Sequence, residues 1–330
     1  MSGLLADDEF FDRYAAAVTH IEHETGITIE RLVLPSEGRI AADVLARITL
    51  AYFSAAIRED AAAVRRFFGA VTRAPHMRWL HVGHAGTDLP VYEQLLANGV
   101  RLSNSSGTAA TPIAQSAIGG MLILSRGFLH WLDAQRQHAW SPHCGPRTPV
   151  DLQDQTLLVL GVGAIGNEIA RLARALGLHV IGVRRRSVTP QDHVDEMHPP
   201  GDLDMLLPRA HWLIIACPLT PQTHGLLDAR RLAMLPPGAH VINVARGEII
   251  DAAALIATLS SGHLGGAYLD VFAQEPLSTA SPLWDMPNVL ISPHDSAASA
   301  GNGSRADHLF LNNLKRWAQA EPLHNEITQV

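Results

Sequence analysis

Three side chains stand where apolar runs end, and their types together make a set that can do chemistry. Arg246 follows VINVA, Glu275 follows LDVFAQ, and His294 follows VLISP. In open parallel sheets ligands sit beyond the carboxyl ends of the strands, so side chains at three such ends can converge on one bound molecule. An arginine can grip a carboxylate and polarise an adjacent carbonyl, and a histidine can donate a proton to the carbonyl oxygen. A carboxylate beside that histidine keeps it charged and oriented. The combination suits reduction of a 2-keto acid and calls for no metal. Each residue taken alone would also serve as an ordinary charge at a strand end; their recurrence after successive strands is what suggests a site.

A second pattern supplies the missing reductant. Gly161-Val162-Gly163-Ala164-Ile165-Gly166 follows LLVL and precedes a segment with Ile169, Leu172, Ala173 and Leu176 at helical spacing. In that strand-turn-helix setting Gly161 permits the tight turn and Gly163 lets the backbone approach a pyrophosphate. Gly166 allows close packing, and the helix start, at Ala164 and Ile165, favours the anion. A dinucleotide is therefore expected here. The next apolar run ends in Arg184, Arg185 and Arg186, where an NAD-binding turn would carry an acid for the ribose hydroxyls. Arginine presents a charged fork suited to phosphate. NADP, as NADPH, is expected in preference to NAD, with NAD as the other possibility.

The elements that must position these residues alternate. From Thr156 the chain reads TLLVL, EIARLARALG, HVIGVRR, HWLIIACP, AHVINVARG, GAYLDVF and NVLISPH, short apolar strands joined by connections of βαβ length. An earlier series, ITIERLVLP, ITLAYFSAA, MRWLHVG and VRLSNSS, alternates with alanine-rich helical stretches after a helix over 8–24. Both imply parallel sheets. The apolar stretch from Thr111 to Trp131 reads as one long buried helix, and QRQHAWSPHCGPRTPVDLQDQ reads as an arm without periodicity. The helix and arm are hard to bury within one domain, which suggests a homodimer.

At 330 residues two domains are expected. With 47% hydrophobic and 17% charged residues, disorder as a main feature is excluded. The net charge of -7 offers no field for nucleic acid or an acidic membrane. Two cysteines, Cys144 and Cys217, are too few for a disulfide framework. MSGLLADDEFFDRY carries acids where a signal peptide would carry positive charge, so a soluble, cytoplasmic protein is expected.

The pieces LLVLGVGAIG, CPLTPQT, INVARGEIIDAAAL, GAYLDVFAQEPL, SPLW and NVLISPH occur in one order across roughly 152–294. In that order they resemble the D-isomer-specific 2-hydroxyacid dehydrogenases, particularly the NADP-preferring glyoxylate/hydroxypyruvate reductases. The resemblance implies two doubly wound α/β domains, with a Rossmann cofactor domain inserted in a flavodoxin-like substrate domain. Its boundaries would be 1–106 with 295–330 for the substrate domain, and 107–294 for the dinucleotide-binding domain. It implies that Arg246 binds the substrate carboxylate, His294 is the acid/base and Glu275 its partner. Asp270 would lie beside the active site, and Cys217 and Pro218 against the cofactor's adenosine half, with Val244 and Ala245 also at the cofactor. Glu275 separates the chain from the related formate dehydrogenases, which carry an amide there. GHAGTD, Gly83 to Asp88, resembles the loop whose amides receive the substrate carboxylate, at Ala85 and Gly86. The chain departs from the pattern in three places. Its first strand is expected to be shortened or absent after MSGLLA, which would leave that sheet edge poorly packed; Gln115 stands where relatives often have Glu; and Asp295 follows the histidine. The same fold and triad also occur in non-enzymatic, nucleotide-sensing corepressors. An NAD-dependent phosphoglycerate-type dehydrogenase is a third reading, disfavoured by the arginines and the lack of an appended regulatory domain.

Overall fold

Both alternating series become parallel sheets in the structure, a computed structural model that describes residues 2–87, 89–145 and 148–328. The chain divides into two compact units, Met1–Thr108 with Ser299–Val330, and Ala109–Ala298. Each has its own core.

Among the described residues of the first unit six strands lie in the order Glu326–Ile327, Arg101–Asn104, Trp79–Val82, Ile48–Phe53, Ser2–Ala6, Ile29–Val33. The five long strands run parallel, in the flavodoxin-like winding, and the short C-terminal strand adds antiparallel at one edge. The N-terminal strand corrects an expectation. Ser2–Ala6 is present and interior, paired on one side to Ile29–Val33 and on the other to Ile48–Phe53, with Leu4, Leu5 and Ala6 wholly buried. Five residues at about 3.3 Å each are enough to cross a sheet, and being flanked on both sides the strand is no edge. The turn after it is fixed by Asp7, which accepts from the Phe10 amide at 2.9 Å and so caps helix Asp8–Thr25. That helix buries Phe10, Phe11, Val18 and Ile21 and packs with helix Asn302–Ala318, whose Phe310 stacks on Tyr52 at 4.3 Å.

Among the described residues the second unit holds seven parallel strands: Val289–Ile291, Leu264–Leu269, Ala239–Asn243, Trp212–Ile215, Thr156–Leu160, His179–Val183, Glu196–His198. The winding reverses between Thr156–Leu160 and Trp212–Ile215, the switch point at which doubly wound sheets bind nucleotides. Two details differ from the sequence reading. Glu196–His198 is an added strand, invisible as an apolar run because all its residues are half-buried and two are polar. The expected helix Thr111–Trp131 is two helices, Ala110–Ser125 and Phe128–Arg136, broken where Gly127 takes φ 69°. The first buries Ala114, Ala117 and Met121 and packs on helix Ala164–Ala175, while Phe128, Trp131 and Leu132 of the second are exposed.

Candidate active site

The glycine turn leaves strand Thr156–Leu160 at the switch point. Gly161 has φ 100°, and a Cβ there would meet the Cys217 backbone at 2.5 Å; a Cβ at Gly166 would meet the Gly161 carbonyl oxygen at 2.0 Å. Both glycines are therefore demanded by close backbone approach. Gly163 is different: a Cβ would meet nothing within 4 Å. It caps helix Ala164–Ala175 with no side chain bonded to the helix start, and Gly163 and Ala164 are exposed beside half-buried Ile165. An open helix N-terminus with backbone amides and room above it fits a dinucleotide's pyrophosphate. Across the turn, Cys217 is buried, and burial pushes its thiol up to about 11, so it is a packing residue rather than a nucleophile. Pro218 is exposed, and its carbonyl accepts from Thr223 Oγ1 at 2.8 Å, which closes the CPLTPQT turn. Val244 and Ala245 are buried at the end of the neighbouring strand.

The arginine triplet splits. Arg185 and Arg186 are exposed, but the Arg184 guanidinium is turned inward, donating to Val162 O at 3.1 Å and to Asp192 Oδ1 at 2.7 Å. Asp192 was missed by sequence reasoning. It lies eight residues past Arg184 and folds back only because the intervening turn does; Thr189, whose amide and hydroxyl also reach it, closes that turn.

The structure brings Glu275 and His294 together. His294 Nδ1 lies 2.7 Å from Glu275 Oε2, and Glu275 Oε1 accepts from the Phe272 amide at 2.9 Å. An ionised carboxylate only accepts, so the proton of this bond sits on Nδ1 and Nε2 is left for other work. Both side chains are partly exposed. His294 holds φ 55°, the left-handed region, with its amide bonded to Asp270 O at 2.8 Å. Arg246 emerges half-buried from the end of Ala239–Asn243, the strand paired to Leu264–Leu269; its Nη1 donates to Ala245 O at 2.8 Å.

Supporting residues explain this placement. Asp270, almost wholly buried, accepts from Ser292 Oγ at 2.5 Å, the Asp295 amide at 2.9 Å, the Ser296 amide at 3.0 Å and the Ser296 hydroxyl. Its carboxylate thus holds the turn that carries His294. Asn243 does the same for Arg246: its Oδ1 accepts from the Ala245 amide and its Nδ2 donates to Arg246 O, both at 3.0 Å. A Cβ at Gly247 would lie 2.0 Å from the Phe272 carbonyl carbon, so only glycine lets the arginine turn touch the segment leading to Glu275. A buried Asn ending an apolar strand is the sequence signal that could have found Asn243.

In the first unit, the loop 83–87 follows strand Trp79–Val82; Asp88 of the GHAGTD segment lies outside the described residues. The Ser105 amide donates to His84 O at 3.1 Å and Asn104 Nδ2 to Ala85 O at 2.7 Å. In a trans peptide the next N–H points opposite the carbonyl, so the Ala85 and Gly86 amides face away from these two donors. Gln115, in the second unit, is exposed.

Among the described residues no group of His, Cys, Asp and Glu is arranged to hold a metal ion, and no helix is long and apolar enough to cross a membrane.

The chain has relatives of known family and known structure. The sequence profile for "D-isomer specific 2-hydroxyacid dehydrogenase, NAD binding domain" matches residues 118–296. A putative 2-hydroxyacid dehydrogenase of Haemophilus influenzae is 32% identical over 256 residues, covering 74% of this chain and 79% of that protein. The crystal structure of a D-isomer specific 2-hydroxyacid dehydrogenase family protein from Aeromonas salmonicida superposes with TM-score 0.76 at 28% identity, covering 99% of this chain and 98% of the other. An NADPH-dependent glyoxylate/hydroxypyruvate reductase from Sinorhizobium meliloti, solved with NADP and sulfate, gives TM-score 0.73 at 27% identity, covering 99% and 98%. A two-unit α/β oxidoreductase fold with a dinucleotide turn at its switch point defines the class. The chain belongs to the D-isomer specific 2-hydroxyacid dehydrogenase family, whose enzymes depend on NAD(P).

Proposed function

We propose that the protein reduces a small 2-keto acid of the glyoxylate or hydroxypyruvate kind to the D-2-hydroxy acid, with NADPH as preferred reductant. The observation that carries the reading is the 2.7 Å contact between His294 Nδ1 and Glu275 Oε2 beside the strand end bearing Arg246. When bound, NADPH supplies the hydride. Arg246 holds the substrate carboxylate and polarises its carbonyl. His294 Nε2 hands a proton to the carbonyl oxygen as negative charge develops there, and Glu275 holds the ring in the tautomer and orientation that make this possible. Gly161, Gly163, Ala164, Ile165 and Gly166 form the pyrophosphate cradle, Pro218 borders the adenosine half, and the arginines after strand His179–Val183 favour a 2′-phosphate. The Ala85 and Gly86 amides of the first unit, turned away from the Ser105 amide and Asn104 Nδ2, are assigned to the substrate carboxylate, and 83–87 is read as the substrate loop. The second unit is then the dinucleotide domain and the first the substrate domain.

Steady-state oxidation of NADPH and NADH with a panel of 2-keto acids, followed by chiral analysis of the product, tests this. Turnover of a short keto acid with the D product and a lower Michaelis constant for NADPH is expected. Binding of dinucleotide with no keto-acid-dependent turnover would instead make the protein a nucleotide sensor.

A further inference from the structure

A turn that reads a 2′-phosphate has to present positive charge and hide negative charge. Strand His179–Val183 delivers three arginines, yet the first is already committed. The Arg184 side chain is 17% exposed and that of Asp192 only 5%, and the two form a two-pronged ion pair. The same guanidinium donates to the carbonyl oxygens of Val162, Arg186 and Ser187. Its donors are spent on the glycine turn and on its own loop. The sequence pattern does not show Asp192, whose carboxylate shares Arg184 Nη1 with the Val162 carbonyl and so stands by the turn where an NAD-binding chain keeps its acid. Burial pushes the Asp192 carboxyl up, but the Arg184 fork and the Thr189 amide and hydroxyl outweigh it and hold the group below the ordinary aspartate value. It is therefore charged, and that charge is neutralised by its partner.

We propose that Arg184 is a positioning residue: it masks the Asp192 carboxylate and ties the 184–192 loop to the glycine turn, leaving the cofactor's 2′-phosphate to exposed Arg185 and Arg186. The proposal rests on the NADPH reading above and divides its labour. The Arg184–Asp192 pair sets the discrimination between the two cofactors by removing a repulsive charge, and the two outer arginines supply the attraction.

Calorimetric titration of the full chain with NADPH and with NADH, without substrate, separates these roles. Arg184→Ala should weaken NADPH by about tenfold or more and NADH far less, because an unmasked carboxylate repels only the added phosphate. Adding Asp192→Asn should bring NADPH affinity back to within about threefold of the parent. A double variant as weak as Arg184→Ala would mean that Arg184 itself grips the phosphate, and would overturn the proposal. So would full NADPH affinity in Arg185→Ala/Arg186→Ala, for which a loss of about tenfold or more is expected. If Arg184→Ala does not fold, Asp192→Asn alone decides: NADH affinity within about twofold supports masking, whereas a tenfold loss would show that the carboxylate reads the ribose hydroxyls. Equal affinity of the parent for both cofactors would overturn the NADPH preference; the comparison of single and double variants would still decide the role of Arg184.

Discussion

A histidine whose Nδ1 is tied to a carboxylate can donate from Nε2 only when the ring carries both protons. Glu275, 2.7 Å from Nδ1, accepts the Nδ1 proton and fixes the orientation of the ring. Glu275→Gln keeps the shape and removes the carboxylate that holds the ring, so turnover should fall by about tenfold or more while the melting temperature hardly changes. His294→Ala should lower turnover by about 10²-fold or more per folded molecule. Arg246→Ala should raise the Michaelis constant for the keto acid and lower turnover together, since one side chain both binds the carboxylate and polarises the carbonyl. Unchanged turnover in Glu275→Gln would retire the pairing, and a fully active His294→Ala would retire the mechanism. Asp270 belongs to a different class of residue. Its bonds run to the turn that carries His294, so Asp270→Asn is read best as a loss of geometry rather than of a reacting group.

At the scale of elements, the first unit contains a polar line inside its core. Trp79 Nε1 donates to Ser103 Oγ at 2.9 Å, Ser103 Oγ meets His81 Nδ1 at 2.7 Å, and His81 Nε2 meets Ser105 Oγ at 3.0 Å. Ser105 in turn bonds His84 O at the start of the proposed substrate loop. Burial pushes the His81 imidazole down to about 3. An unfolded histidine takes up its proton near 6.5. Between those values the unfolded chain binds more protons than the folded one, so the unit loses stability as pH falls through that window, by about 2 kcal/mol at about pH 5. Denaturant midpoints at neutral and mildly acid pH should show this loss for the parent and a smaller one for His81→Gln, which stays uncharged; identical slopes would contradict it. The elements also show what a sequence can and cannot reveal. Arg246, Glu275 and His294 were legible because each ends an apolar run, and the glycine turn because its spacing is local. Asp192 was not, since a turn that folds back over eight residues leaves no periodicity. Gly127 broke a helix whose two halves are both apolar, and the strand Glu196–His198 is held by its neighbour His179–Val183 rather than by its own residues. The N-terminal strand was underestimated because length, and not pairing on both sides, was the visible cue.

At the scale of the whole molecule, net charge and surface pattern point to different kinds of partner. A chain of net charge -7 repels an anionic cofactor at long range, so attraction for NADPH has to come from local charges, and screening by salt should weaken NADPH binding more than NADH binding. One group of exposed apolar side chains lies elsewhere. Phe128, Trp131 and Leu132 are exposed along one short helix, and Trp140, in the arm after it, is 99% exposed. Large apolar side chains grouped on a surface are the usual mark of an interface, and the commonest interface in a soluble protein is a two-fold pairing of identical chains. The helix Ala110–Ser125 that precedes them is anchored in the core of the second unit, which gives the exposed group a rigid base. We therefore expect a homodimer formed through the second unit. Sedimentation equilibrium should return twice the chain mass, and Phe128→Ser with Trp131→Ser should shift it toward one chain, because both lost rings would leave the centre of the contact. Those residues lie away from the Glu275–His294 pair in sequence and make no bond to it, so dissociation should appear in mass before it appears in dinucleotide affinity. A single-chain mass for the parent at every concentration over a wide dilution range would refute the pairing and require another partner for the aromatic surface.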